Sequence, residues 1–116
     1  MMPTPPFDPL QWVKSDRVHR SVYTDAAVFE LEMTRIFGRA WIYLGHVSQI
    51  PEPGCLFATR VGREPVLVIR QADGAVRAFI NRCAHKGMQL CADDNTERKR
   101  LLRCGYHGWT YHLDGR

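Results

Sequence analysis

The chain has 116 residues, enough for one small domain with one core, and its composition (45% hydrophobic, 24% charged) is that of an ordinary globular protein. A net charge of +4 falls short of the clustered basic surface that nucleic-acid binding requires, so no nucleic-acid partner is expected. The longest apolar runs, such as Val66–Ile69, are strand-sized, and the opening MMPTPPFDP has neither a basic n-region nor an apolar h-region; no membrane partner is expected, and the expected location is cytoplasmic.

Residues 1–22 read as an irregular arm, because Pro3, Pro5, Pro6 and Pro9 oppose regular helix and central strand. Residues 23–40 read as one helix. Asp25 is its candidate cap, Phe29, Met33, Ile36 and Phe37 form an apolar face, and Gly38 is the stop. From residue 41 the pattern changes to short strands with turn punctuation. AWIYLGHV (40–47) reads as a strand, PEPG (51–54) as a turn, CLFATRV (55–61) and PVLVIR (65–70) as strands. QADG (71–74) reads as a hairpin turn and AVRAFIN (75–81) as a further strand. A polar stretch, ADDNTERKR, follows, and Glu97–Arg103 is expected to be a solvated hairpin tip. LLRC and TYHL read as short strands, and Asp114-Gly115 opens one more turn. The predicted class is mainly β: a small antiparallel β sandwich or barrel preceded by the arm and one α-helix. Because the chain stops at Arg116 just after turn residues, C-terminal strands are expected to be missing.

Four cysteines in a reducing compartment argue against a disulfide framework. Cys55 and Cys91 have no histidine nearby and read as packing residues. The other two sit in Cys83-Ala84-His85 and Cys104-Gly105-Tyr106-His107, with eighteen residues between His85 and Cys104. Two loops that each carry one thiol and one imidazole point to a metal site. A structural zinc ion usually takes ligand pairs two to four residues apart, and the one-residue gap in the first loop is unusual for it. In extended chain, residues i and i+2 share a side but stand apart. This suits ligands to two different metals, as in a two-iron, two-sulfide cluster with both cysteines on one iron and both histidines on the other. Gly87, Gly105 and Gly108 would let the loops turn tightly and bring N–H groups to the sulfurs.

These loops, with HKG and HGW following the histidines, resemble the Rieske [2Fe–2S] motif. More narrowly, IFGRAWIYLGHVSQIPEPG, GREPVLVIRQADG, FINRCAHKG and CGYHGWTYHLDG resemble the N-terminal part of aromatic ring-hydroxylating oxygenase alpha subunits. The resemblance implies a Rieske domain over residues 41–116, truncated, with Cys83, His85, Cys104 and His107 as cluster ligands. It further implies that the catalytic domain with its mononuclear Fe(II) is absent. Asp16 and His19 lie upstream and do not match that iron site. Respiratory-chain Rieske proteins carry a disulfide between their loops; Met88 and Tyr106 stand at those positions here, which disfavours that branch. The lower part of the Rieske range, roughly −150 mV upward, is expected.

By the same resemblance, a ferredoxin or a flavin reductase supplies electrons, His107 is the exit ligand toward a neighbouring subunit, and reduction is coupled to proton uptake. A homotrimer, with or without a beta subunit, is implied. Trp109 reads as a lid over the cluster, a subunit contact or packing. Lys86 reads as solvated or as facing an acidic partner, and His19, His46 and His112 read as structural or surface residues. The alternatives are a stand-alone Rieske-type ferredoxin and, from other classes, a structural zinc module or a Cys–His nucleophilic pair. The 116 residues alone are expected not to turn over substrate.

Overall fold

The structure, a computed structural model, describes residues 8–92 and 98–116. The chain divides after Ile42 into two compact units. Pro3, Pro5 and Pro6 lie outside the described residues, as does the Glu97 end of the expected hairpin tip.

The described part of the arm is more ordered than its prolines suggest. It opens with a short helix, α1 (Pro9–Trp12). A proline is tolerated in the first turn, where its missing N–H would have had no partner. A tight turn then bridges Val13 to Val18, and a second short helix, α2 (Ser21–Thr24), follows. Asp25 caps the next helix, α3 (Ala26–Glu32), by accepting from the N–H groups of Ala27 and Val28. The chain continues into a π-helical turn, Met33–Phe37, and stops at Gly38 in right-handed conformation. The predicted apolar face needs correction. Val28 is buried and Leu31, Met33 and Phe37 are half-buried, whereas Phe29 and Ile36 remain exposed. The π turn changes the angular spacing over Met33–Phe37, so the α-helical period used for the prediction does not hold there.

In the second unit, three strands form an antiparallel sheet in the order β1 (Leu56–Val61), β2 (Glu64–Arg70), β3 (Val76–Ile80). A separate hairpin pairs β4 (Leu101–Arg103) with β5 (Thr110–His112). The run Val66–Ile69 is apolar without alternation because β2 is central and buried on both faces. On one face Phe57, Val66 and Val68 pack with Cys55 and Ile50. On the other, Leu56, Leu67 and Ile69 meet Leu102 of the hairpin, with Tyr111, Leu113 and Cys91 against them. The two sheets thus share the second core, as a small sandwich does. Cys55 and Cys91 are packing residues, as expected.

The expected strand over 40–47 does not form. No ladder includes it, and residues Val47–Gln49 make a 3₁₀ turn instead. His46 and Gln49 cap that turn reciprocally: His46 Nδ1 accepts from Ser48 N–H at 3.3 Å, and Gln49 Oε1 from His46 N–H at 2.8 Å. This local bonding competes with strand pairing. It also gives His46 the structural role expected of it.

Two buried amides fix the chain at either end of the sandwich. Gln71 Nε2 donates to the Leu113 carbonyl at 2.9 Å. Asn81, 1% exposed, follows β3 directly. Its Oδ1 accepts from the N–H groups of Leu90 and Cys91, both at 3.1 Å, and its Nδ2 donates to the Cys91 carbonyl at 2.7 Å. The segment between Asn81 and Cys91 is thereby closed into a loop. Later, Lys99 N–H donates to the Gly54 carbonyl at 2.9 Å, which anchors the chain again before β4.

Removing the Asn81 amide would take the acceptor from the N–H groups of Leu90 and Cys91 and leave the Cys91 carbonyl with Gln89 Nε2 as its side-chain donor. Asn81→Ala is expected to cost about 2–4 kcal/mol. Asn81→Asp keeps the acceptor but not the donor and should cost less. Urea unfolding monitored by circular dichroism ranks the three proteins, and an Ala variant as stable as the parent would remove Asn81 from this role.

Candidate metal centre

The two candidate loops are built on one backbone plan. In the first, Cys83 N–H donates to the Met88 carbonyl at 2.7 Å and Gly87 N–H to the Cys83 carbonyl at 2.9 Å. In the second, Cys104 N–H donates to the Trp109 carbonyl at 2.7 Å and Gly108 N–H to the Cys104 carbonyl at 3.0 Å. Each turn closes on a glycine four residues after its cysteine, with φ of 75° at Gly87 and 77° at Gly108. Only glycine takes that conformation without strain. The side chain of the arginine before each cysteine lies against that glycine: Arg82 against Gly87 and Arg103 against Gly108. Gly105, by contrast, is at ordinary φ and has open space where a side chain would stand, so the turn does not demand it.

The plan is shared, but the histidines are offset by one step. His85 is two residues after its cysteine and His107 three after its own. Their rings nevertheless meet edge to face, with centroids 4.8 Å apart. Both rings are exposed, whereas Cys83 and Cys104 are 2% and 3% exposed. The Cys104 thiol lies within hydrogen-bond reach of Cys83. The donor set is therefore split by depth into two adjacent thiols inside and two adjacent imidazoles at the surface. Among the described residues, no three His, Cys, Asp or Glu side chains converge on the position of one ion. A zinc knuckle needs such convergence. A cluster that takes two sulfurs on one iron and two nitrogens on the other fits the split.

Tyr111 adds a group that the loop spacing did not reveal. It points inward from β5, and its hydroxyl reaches the first loop. Ala84 N–H donates to Tyr111 Oη at 3.0 Å, and the hydroxyl lies 3.2 Å from Cys83 Sγ. While Cys83 is a thiol either group can donate, but toward a thiolate the hydroxyl is the donor. This bond is the main reason the Cys83 thiol is held below its ordinary pKa, with smaller help from the N–H groups of His85 and Lys86. The same bond pushes the Tyr111 hydroxyl up. The signal available in the sequence was alternation along β5, which turns Tyr111 inward between exposed Thr110 and His112.

Each site histidine has an aromatic companion. The Trp109 ring is stacked on His85, centroids 4.7 Å apart and planes 6° from parallel. Tyr106 lies 3.8 Å from His107 at a 32° tilt. The remaining histidines stand apart from the loops. His19 accepts from Ser21 N–H in the arm, His46 caps the 3₁₀ turn, and His112 is exposed on β5.

Comparisons with known proteins agree with this geometry. Residues 40–116 match the Rieske [2Fe-2S] domain family. The biphenyl dioxygenase alpha subunit of Metapseudomonas furukawaii is 43% identical over 95 residues, covering 82% of this chain and 20% of that protein. Among solved structures, naphthalene 1,2-dioxygenase from Rhodococcus sp. superposes with a TM-score of 0.81 at 37% identity, over 91% of this chain and 24% of its own. A quaternary ammonium Rieske monooxygenase, described in terms of carnitine oxidation and inter-subunit electron transfer, gives 0.75 at 36% identity over 82% of this chain and 26% of its own. The chain thus spans about a fifth to a quarter of the length of these relatives. With its paired turns, buried thiols and surface imidazoles, it belongs to the Rieske [2Fe-2S] domain family and is similar to the N-terminal region of dioxygenase alpha subunits.

Proposed function

We propose that residues 41–116 are the electron-transfer domain of a ring-hydroxylating oxygenase alpha subunit, preceded by the arm (1–22) and the helical segment (23–40). Cys83 and Cys104 are its thiolate ligands, and His85 and His107 its imidazole ligands. The observation that carries this reading is the split of the donor set by depth. When bound, a Rieske cluster takes up and releases one electron at a time.

The chain's own residues set the terms of that exchange. Burial of Cys83 and Cys104 keeps water from the thiolates. The Tyr111 hydroxyl and the N–H groups of His85 and Lys86 face Cys83 Sγ and offset negative charge there. Exposure of His85 and His107 leaves one ring nitrogen of each free to meet a partner. His107 is the proposed exit ligand, toward a carboxylate of a neighbouring subunit. The likeness to dioxygenase alpha subunits supports a ferredoxin or flavin reductase as donor and a trimeric assembly, with or without a beta subunit. It also supports an aromatic substrate, hydroxylated at a mononuclear iron held in the remaining length of such a protein. Among the described residues, no helix is long and apolar enough to cross a membrane.

Anaerobic reconstitution with iron and sulfide tests the ligand set. The expected product is coloured, carries two irons and two sulfides per chain, and gives an EPR signal only when reduced. His107→Cys should change its visible and EPR spectra. A colourless protein with one bound zinc overturns the reading. In the loaded protein, Tyr111→Phe removes a donor that favours the more negative, reduced state. Its reduction potential should fall by on the order of tens of millivolts in protein-film voltammetry. An unchanged potential would show that the hydroxyl does not act on Cys83.

A further inference from the structure

The two loops must be held against each other, yet no disulfide joins them. All four cysteines are free thiols, and by the resemblance drawn from the sequence Met88 and Tyr106 stand where respiratory-chain Rieske proteins carry a disulfide. Besides the candidate ligands, which meet as His85 with His107 and Cys83 with Cys104, two side chains cross from the second loop and its strand to the first. One is Tyr111, through Cys83 and Ala84. The other is Trp109, whose ring covers His85 face to face. Tyr106 does not cross, because its companion His107 belongs to its own loop.

The placement of Trp109 is determined at its backbone. Its carbonyl accepts the N–H of Cys104, which closes the second turn, and Gly108 at φ 77° directly precedes it. The indole is therefore projected from a fixed base onto the other loop. An exposed histidine at a loop position ordinarily has free rotation about two side-chain bonds. A parallel stack at 4.7 Å removes most of that freedom and fixes the plane in which both ring nitrogens lie.

We infer that Trp109 is a positioning residue for His85: its stack presets the imidazole plane for metal binding and supplies, without a covalent bond, part of the clamp that a disulfide gives elsewhere in the family. The inference rests on the ligand set proposed above. Because the clamp contains no reducible bond, it persists in a thiol-reducing compartment.

The test uses the reconstituted chain in dithiothreitol, with three variants. Trp109→Phe keeps a stacking ring. Trp109→Leu and Trp109→Met fill space without one, and either serves if the other does not fold. The readouts are the rate of iron release to a chelator and the iron–imidazole bands in resonance Raman spectra. Expected are release about 3–10-fold faster and shifted bands in the Leu or Met variant, with the Phe variant close to the parent. Parent-like release and bands in the non-aromatic variants would overturn the inference and leave the ligand set standing. Equal impairment of all three variants would also overturn it, since packing volume rather than the ring face would then be at work. A parent chain that takes up no iron–sulfur cluster would instead overturn the ligand set itself.

Discussion

The hydroxyl of Tyr111 is the point on which the site's geometry turns. It belongs to β5, the strand that leaves the second loop, but it bonds to the cysteine and the backbone of the first. The same residue packs into the core between the three-stranded sheet and the β4–β5 hairpin. One side chain thus links three things: the docking of the hairpin on the sheet, the spacing of the two loops, and the charge state favoured at Cys83. A site whose ligands come from two separate loops needs such a link, because loop ends alone do not set the distance between loop tips.

Depth does the rest. The thiols sit where the core is dry, and the imidazoles sit where a partner can reach them. That division follows from the shared turn. In both loops the cysteine is the turn's first residue, tied at both its N–H and its carbonyl, and is drawn inward by the strand before it. The histidines ride on the outward arc. Despite their one-residue offset, the two rings meet edge to face, so C-x-H and C-x-x-H spacings coexist in one site.

Much of this was legible in the sequence. β2 announced itself through the unbroken Val66–Ile69 run, the hairpin turn through Ala72-Asp73-Gly74, and the helix start through Asp25. The four candidate ligands came from spacing alone. What escaped was of two kinds. Local bonding overrode pattern at His46, where a reciprocal cap with Gln49 took the end of the strand expected over 40–47. Across-chain partners were invisible as well. Nothing in the sequence assigns Trp109 to His85 or Tyr111 to Cys83, because each pair depends on the hairpin lying over the first loop. Asn81 was read only as a strand end, whereas its amide closes the whole first loop.

The two anchors around the polar stretch carry a different implication. Asn81 closes the first loop at Cys91, before that stretch begins, and the Gly54–Lys99 bond takes hold of the chain again before β4. With the chain gripped on both sides, the position of each loop is set by these bonds and not by the length of chain between them. The eighteen residues separating His85 from Cys104 include the Cys91 and Lys99 anchor points and β4 itself, so their count is not a measure of the distance between the two loop tips.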